Sequence, residues 1–144
     1  MTTHDRDWIA AHIPHQGDMC LLDGVLHADE QRIACRALSH RDASHPLRHA
    51  GRLGVAVGIE YAAQAMAVHG AILGGGEPGR SGYLTSVREA RWSVSRLDDL
   101  SGPLEVHAER LSGTDNNVLY AFSLRDGERE LMGGRATVIL NADH

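Results

Sequence analysis

The sequence predicts an α+β fold in which an antiparallel sheet wraps one long helix. Three observations predict it. One run, Val55–Leu73, is apolar nearly all the way round, as a helix at the centre of a fold must be. The second half of the chain alternates apolar and polar residues with the period of strands covered on one face. The strands are also segregated from this single helix, which argues against a parallel α/β sheet. At 144 residues the chain is expected to be one domain, 1–144, long enough to bury roughly two-thirds of its unfolded surface. Aromatics make up only 4% of it, so the core must be aliphatic and rich in alanine.

In chain order, residues 5–12 (DRDWIAAH) read as a short helix halted before Pro14. Residues 19–27 and 31–38 read as two strands around the turn Ala28-Asp29-Glu30. A polar stretch, 39–52, holds Pro46 and the histidines His40, His45 and His49; long irregular connections of this kind often carry function. The central helix runs to about Leu73 and stops at Gly74-Gly75-Gly76, with Pro78 behind it. Residues 82–96 form a long strand. In 103–111, Leu104, Val106 and Ala108 alternate with Glu105, His107 and Glu109, and Val118, Tyr120, Phe122 and Leu124 repeat the pattern. Asp126-Gly127 marks a hairpin into 129–140, so the last four strands are expected to form a meander.

Composition excludes several functions. The net charge is −5 and the arginines are dispersed, so the basic patch of a nucleic-acid binder is missing. All 14 basic residues are arginine, which removes Schiff-base chemistry and a phosphate-loop lysine. Cys20 and Cys35 form no C-x-x-C, and the start MTTHDRDW has no apolar run, so a reducing, cytoplasmic setting without a secretory leader is expected. Val55–Leu73 is long enough to cross a bilayer, but Glu60, Gln64 and His69 make insertion costly, and no membrane span is expected. His12 and His15 lack a third ligand at any known spacing, so no metal and no cofactor are expected. No G-x-S-x-G serine elbow occurs. Arg88, Arg91 and Arg96 could meet an acidic partner, although a solvated strand face is the plainer reading.

The helix is the most informative piece. Val55, Ile59, Ala62, Met66 and Leu73 fall on one stripe, while Glu60 and Gln64 lie about 40° apart, one turn from each other. A carboxylate on a buried apolar helix is costly unless paired or used, and burial would raise its pKa, which suits a general acid. The plainer alternative is a carboxylate bonded to nearby backbone or facing solvent. The His45-Pro46 loop feeds into the helix N-terminus near Gly54, where unpaired N–H groups can polarise a carbonyl oxygen. Histidine, carboxylate and helix N-terminus together suit elimination of water from a β-hydroxy thioester: a base for the α-proton, amides for the enolate-like oxygen, an acid for the departing hydroxyl. For any one loop histidine, a solvated side chain is the plainer reading.

These residues resemble those of the β-hydroxyacyl-carrier-protein dehydratases of the hot-dog fold, most closely the small dehydratase-like proteins of aryl-polyene pigment pathways. Ile13-Pro14-His15-Gln16-Gly17-Asp18-Met19-Cys20-Leu21-Leu22-Asp23 is similar to that family's L-P-H-x-x-x-M-x-L-L-D segment. His45-Pro46-Leu47 is similar to its H-P-F loop, and Gly58-Ile59-Glu60-Tyr61-Ala62-Ala63-Gln64-Ala65 to its G-I-E-Y-M-A-Q-A helix. The resemblance implies that His45 is the base, that Glu60 handles the hydroxyl or its water, and that Gln64 supports Glu60. It also implies that the backbone of Gly54 and Val55 faces the thioester carbonyl and that His15 is an orienting or structural residue. Counted back from Glu60, the histidine of the better-known fatty-acid dehydratases falls nearest Pro46, and His49 is a second candidate base.

The expected activity is dehydration of (3R)-3-hydroxyacyl groups on acyl carrier protein to trans-2-enoyl thioesters. In this fold two subunits usually join their sheets, and each site takes histidine from one chain and carboxylate from the other. A homodimer, or a heterodimer with a sister dehydratase, is therefore implied. The competing readings are an acyl thioester hydrolase using the same helix carboxylate, and a non-catalytic subunit that binds acyl chains or stabilises a partner.

Overall fold

The computed structural model describes residues 2–13, 17–74, 82–114 and 117–140. A two-residue strand β1 (His4–Asp5) leads directly into helix α1 (Arg6–His12). Asp5 caps that helix, its carboxylate accepting the Trp8 N–H at 2.9 Å, and His12 stacks on Trp8 at 3.9 Å in the last turn. Strands β2 (Gly24–Ala28) and β3 (Arg32–Ala37) pair around Asp29. The Asp29 carboxylate accepts the N–H groups of Gln31 and Arg32, which pull its pKa down to about 2.

Strand β2 begins at Gly24, not at residue 19 as the apolar run predicts. Gly17–Met19 form a 3-10 turn, and the backbone that follows is bonded by side chains instead of a ladder. Arg6 donates to the Gly17 and Cys20 carbonyls, and Ser39 Oγ to the Leu21 carbonyl. An apolar run of this length reads as strand because its burial is real; Cys20, Leu21 and Leu22 are all buried.

A 3-10 turn, Val55–Val57, runs into helix α2 (Gly58–Leu73), the long apolar run of the sequence. Its buried residues are Gly58, Tyr61, Ala62, Gln64, Ala65, Met66, Val68 and His69, on the side that meets β3, β5 and β6. Of the stripe anticipated from the sequence, Ala62 and Met66 are buried, Val55 and Ile59 are half-buried, and Leu73 is 39% exposed at the helix end. His69 is fully buried: its Nε2–H donates to the Asp29 carbonyl at 2.8 Å, so its Nδ1 accepts the Tyr120 hydroxyl at 2.7 Å. The helix is thus tied to the β2–β3 turn and to the far strands.

The remaining strands are β4 (Gly82–Trp92), β5 (Leu104–Gly113), β6 (Asn117–Asp126) and β7 (Arg129–Leu140). All pairings are antiparallel, in the order β1-β2-β3-β5-β6-β7-β4. The alternation seen in the sequence has its cause here, since Leu104, Val106, Ala108, Val118, Tyr120, Phe122 and Leu124 all face the core. The hairpin after Asp126 turns through Gly127 at φ +60°.

The last four strands are not one meander. β5, β6 and β7 follow one another, but β4 pairs with β7 at the sheet edge, and β5 lies against β3. The reason lies in the connection after β4, which is no hairpin turn. Residue 97 of it is a buried leucine whose N–H bonds the Leu53 carbonyl, and Val55 N–H bonds Ser95, so the chain crosses the start of α2 before entering β5. β4 accordingly ends at Trp92, short of the expected residue 96, after a bulge at Glu89 with φ 55°.

Candidate active site

The loop 39–54 packs against the first turn of α2, and buried side chains fix its path. His40 is fully buried and donates to the Gly102 carbonyl at 2.9 Å. Arg48 donates to the carbonyls of Gly51 and His40 and lies 3.8 Å from the Asp98 carboxylate. Asp98 pairs with Arg96 and accepts the Leu53 N–H at 2.9 Å; that guanidinium above all holds its carboxyl well below the usual range. At the loop's tip, His49 and Arg52 exchange both backbone bonds around Ala50 and Gly51, whose φ values of 52° and 77° are those of a type I′ turn.

His45 sits inside this loop and is only 5% exposed. Its Nδ1 accepts the Leu47 N–H at 3.0 Å, and its Nε2 lies 3.1 Å from the Tyr61 hydroxyl. Tyr61, fully buried on α2, is 2.8 Å from Ser39 Oγ, which donates to the Leu21 carbonyl at 2.8 Å. Burial, then the Arg48 charge, lowers the His45 pKa, so the ring is held neutral; burial pushes Tyr61 up to about 12, so it keeps its proton. A cleft of about 300 Å³ opens beside His45, lined by Asp18, Leu38, Ser39, Asp42 and Pro46 among others.

Glu60, in the first turn of α2, is exposed. The burial expected to tune this carboxylate is therefore not supplied within the chain; the apolar run identifies a core helix but not which of its sides the sheet covers. Successive helix residues point about 100° apart, so Glu60 faces outward while its neighbour Tyr61 holds His45 inside. Gln64 does not bond Glu60. It is fully buried, accepting the Leu21 N–H at 2.9 Å and donating to the Met19 carbonyl at 2.7 Å, and so holds the 19–21 segment against the helix.

At the helix start, Gly54 is exposed with open space over its Cα. The Val55 amide, expected to face a thioester carbonyl, donates instead to the Ser95 carbonyl at 3.0 Å. His49 is exposed on the turn, away from the buried chain through Tyr61. His15 lies outside the described residues. Arg91 makes a two-pronged bond to Glu130 at 2.9 Å on both arms, Arg96 is taken by Asp98, and Arg88 is exposed. Among the described residues no cluster of three or more His, Cys, Asp or Glu could hold a metal ion. The residues missed from sequence are Ser39, Tyr61, Arg48 and Asp98. For Tyr61 a signal existed, a hydroxyl on an apolar helix that needs a partner when buried.

A family model for ApeP-like proteins, described as ApeP dehydratase, matches residues 8–144. Among solved structures, the dehydratase heterocomplex ApeI:P from Xenorhabdus doucetiae matches with a TM-score of 0.82 and 21% identity, over 94% of this chain and 91% of that one. A thioesterase from Staphylococcus aureus matches with a TM-score of 0.59 and 14% identity, over 82% and 92% of the two chains. A thioesterase from Haemophilus influenzae matches at 0.54 and 15%, over 84% and 80%. These likenesses show a hot-dog fold. No curated protein matches the chain.

Proposed function

The chain belongs to the ApeP-like dehydratase family, and from that premise we propose that this dehydratase removes water from (3R)-3-hydroxyacyl groups carried as thioesters on acyl carrier protein. The observation that carries the reading is the placing of a loop histidine and a helix carboxylate on opposite sides of the first turn of α2. His45 is held inside through Tyr61, while Glu60, one residue earlier on α2, faces out of the chain. Histidine and carboxylate suit the α-proton and the departing hydroxyl, and facing opposite ways they suit a site completed by a second subunit. Gly54, open at the helix start, would lie nearest the thioester.

A sister dehydratase is the proposed partner. The related heterocomplex supports this, as does β4, an 11-residue strand at the sheet edge on which Trp92 stands 64% exposed. A cytoplasmic location fits the two free, buried thiols of Cys20 and Cys35.

The test is incubation with a 3-hydroxyacyl carrier-protein thioester, alone and with a candidate partner, followed by mass spectrometry. Loss of one water is expected, and Glu60→Gln and His45→Ala each abolish it with the fold intact. Release of free carrier would replace this reading with thioester hydrolysis. No change in either condition would leave a binding subunit.

A further inference from the structure

Arg48 is folded into the loop that carries His45, with its side chain only 15% exposed. Its guanidinium spans that loop, donating to the Gly51 carbonyl at 2.9 Å and to the His40 carbonyl at 3.2 Å. Its backbone N–H bonds the His45 carbonyl at 3.1 Å, closing the turn that places the imidazole. Carbonyls need only a donor, and a neutral amide would serve them. A buried charge in this place is costly unless it is paired or used. The pairing is incomplete. Asp98 gives its oxygens to the two-pronged bond from Arg96 and to the Leu53 N–H, and Arg48 reaches it only at 3.8 Å. Arg48 Nε is buried without a partner. Part of the positive charge is therefore left uncompensated beside His45.

We propose that Arg48, restrained by Asp98, is a positioning residue for the dehydration: it holds the turn around His45 and sets a fixed positive charge beside that ring, so that the imidazole meets the substrate uncharged. This rests on the functional reading above, which assigns His45 to the α-proton. Two effects favour the uncharged ring, burial first and the Arg48 charge second. Asp42, on the same loop, pulls the other way, but its carboxylate is bonded by the Ser44 N–H and hydroxyl. From α2, Tyr61 keeps its proton and adds no charge. Arg6, Asp18, Cys20 and Asp23 line the cleft beside the ring, and Asp23 is taken by Arg36. The more of the Arg48 charge Asp98 neutralises, the more readily His45 takes up a proton from solvent.

The test is NMR titration of the His45 ring in the full chain, its signal assigned by loss in His45→Ala, read beside kcat/KM against pH. Arg48→Gln removes the charge and keeps an amide donor. Asp98→Asn removes the counter-charge and keeps an oxygen for the Leu53 N–H. The His45 midpoint is expected to rise in Arg48→Gln and to fall in Asp98→Asn. Relative to wild type, kcat/KM of Arg48→Gln should be about fivefold lower near about pH 5.5 than at about pH 8, since protonation removes a base below its midpoint. A brace alone would lose the same factor at every pH. Midpoints that stay at the wild-type value, or move in the same direction, overturn the proposal. If Arg48→Gln does not fold, the direction of the shift in Asp98→Asn decides. Should wild type remove no water from any thioester, the functional reading fails while the titration still decides this one.

Discussion

Gly58, the first residue of α2, lies directly against the side chain of Met132 on β7. A Cβ at this position would overlap Met132 Sδ and come within 3.0 Å of Leu124 Cδ2. Gly58 sets how closely the helix start approaches the sheet, two residues before Glu60. Gly58→Ala is therefore expected to cost about 1–3 kcal/mol in urea unfolding. Combined with Met132→Ala, the loss should fall short of the sum of the two single changes by about 1 kcal/mol. Additive losses would mean that the glycine is not limiting the approach.

Gln64 anchors the segment 19–21 with both ends of its amide. Gln64→Leu leaves the Leu21 N–H and the Met19 carbonyl without partners, at an expected cost of about 2–4 kcal/mol. The same variant should raise amide exchange at Leu21. A thermal midpoint equal to wild type would show that water or a neighbour replaces both bonds.

Ala50 is held at φ 52°, a left-handed conformation that costs a non-glycine residue. Ala50→Gly relieves that cost but gains freedom in the unfolded chain, so a net stabilisation of about 0.5–1 kcal/mol is expected. The turn's two backbone bonds stay as they are, and turnover should not change. A loss of stability would place the Ala50 methyl in a contact worth more than the strain.

Burial lowers the pKa of His40, His45 and His69 below the ordinary 6.5. As pH falls through 6.5 the unfolded chain binds protons that the folded chain refuses, so stability is lost toward acid from that point. The depressed carboxylates act later, since the ordinary value of Asp29 and Asp98 is 3.8. The urea midpoint should therefore drop between about pH 7.5 and 5.5, and drop less in His69→Gln. Equal midpoints at the two pH values would contradict the burial.

Much of the fold was legible because it is written in local periods. The α2 run and the alternation in β5 and β6 follow from which residues must leave water. The place of β4 was not legible, because its pairing with β7 depends on the route of a connection that crosses the helix start. β1 was missed since its two residues carry no period. At the candidate site, the loop singles out His45, and apolar surroundings single out Glu60, as candidates only. The outward direction of Glu60, the Gln64 bonds and the use of the Val55 amide are set by tertiary partners, which no local pattern contains.

The sheet's two ends are unequal. At one end β1 offers 2 residues before the chain turns into α1; at the other, β4 offers 11. A sheet with two long open ends is a template for unlimited addition, the geometry of fibres. Here addition can proceed from one end, and any strand seated there, from a second copy or another chain, would exhaust it. The hazard thus lies at the bare β4 edge, and the isolated chain at high concentration should associate through that strand.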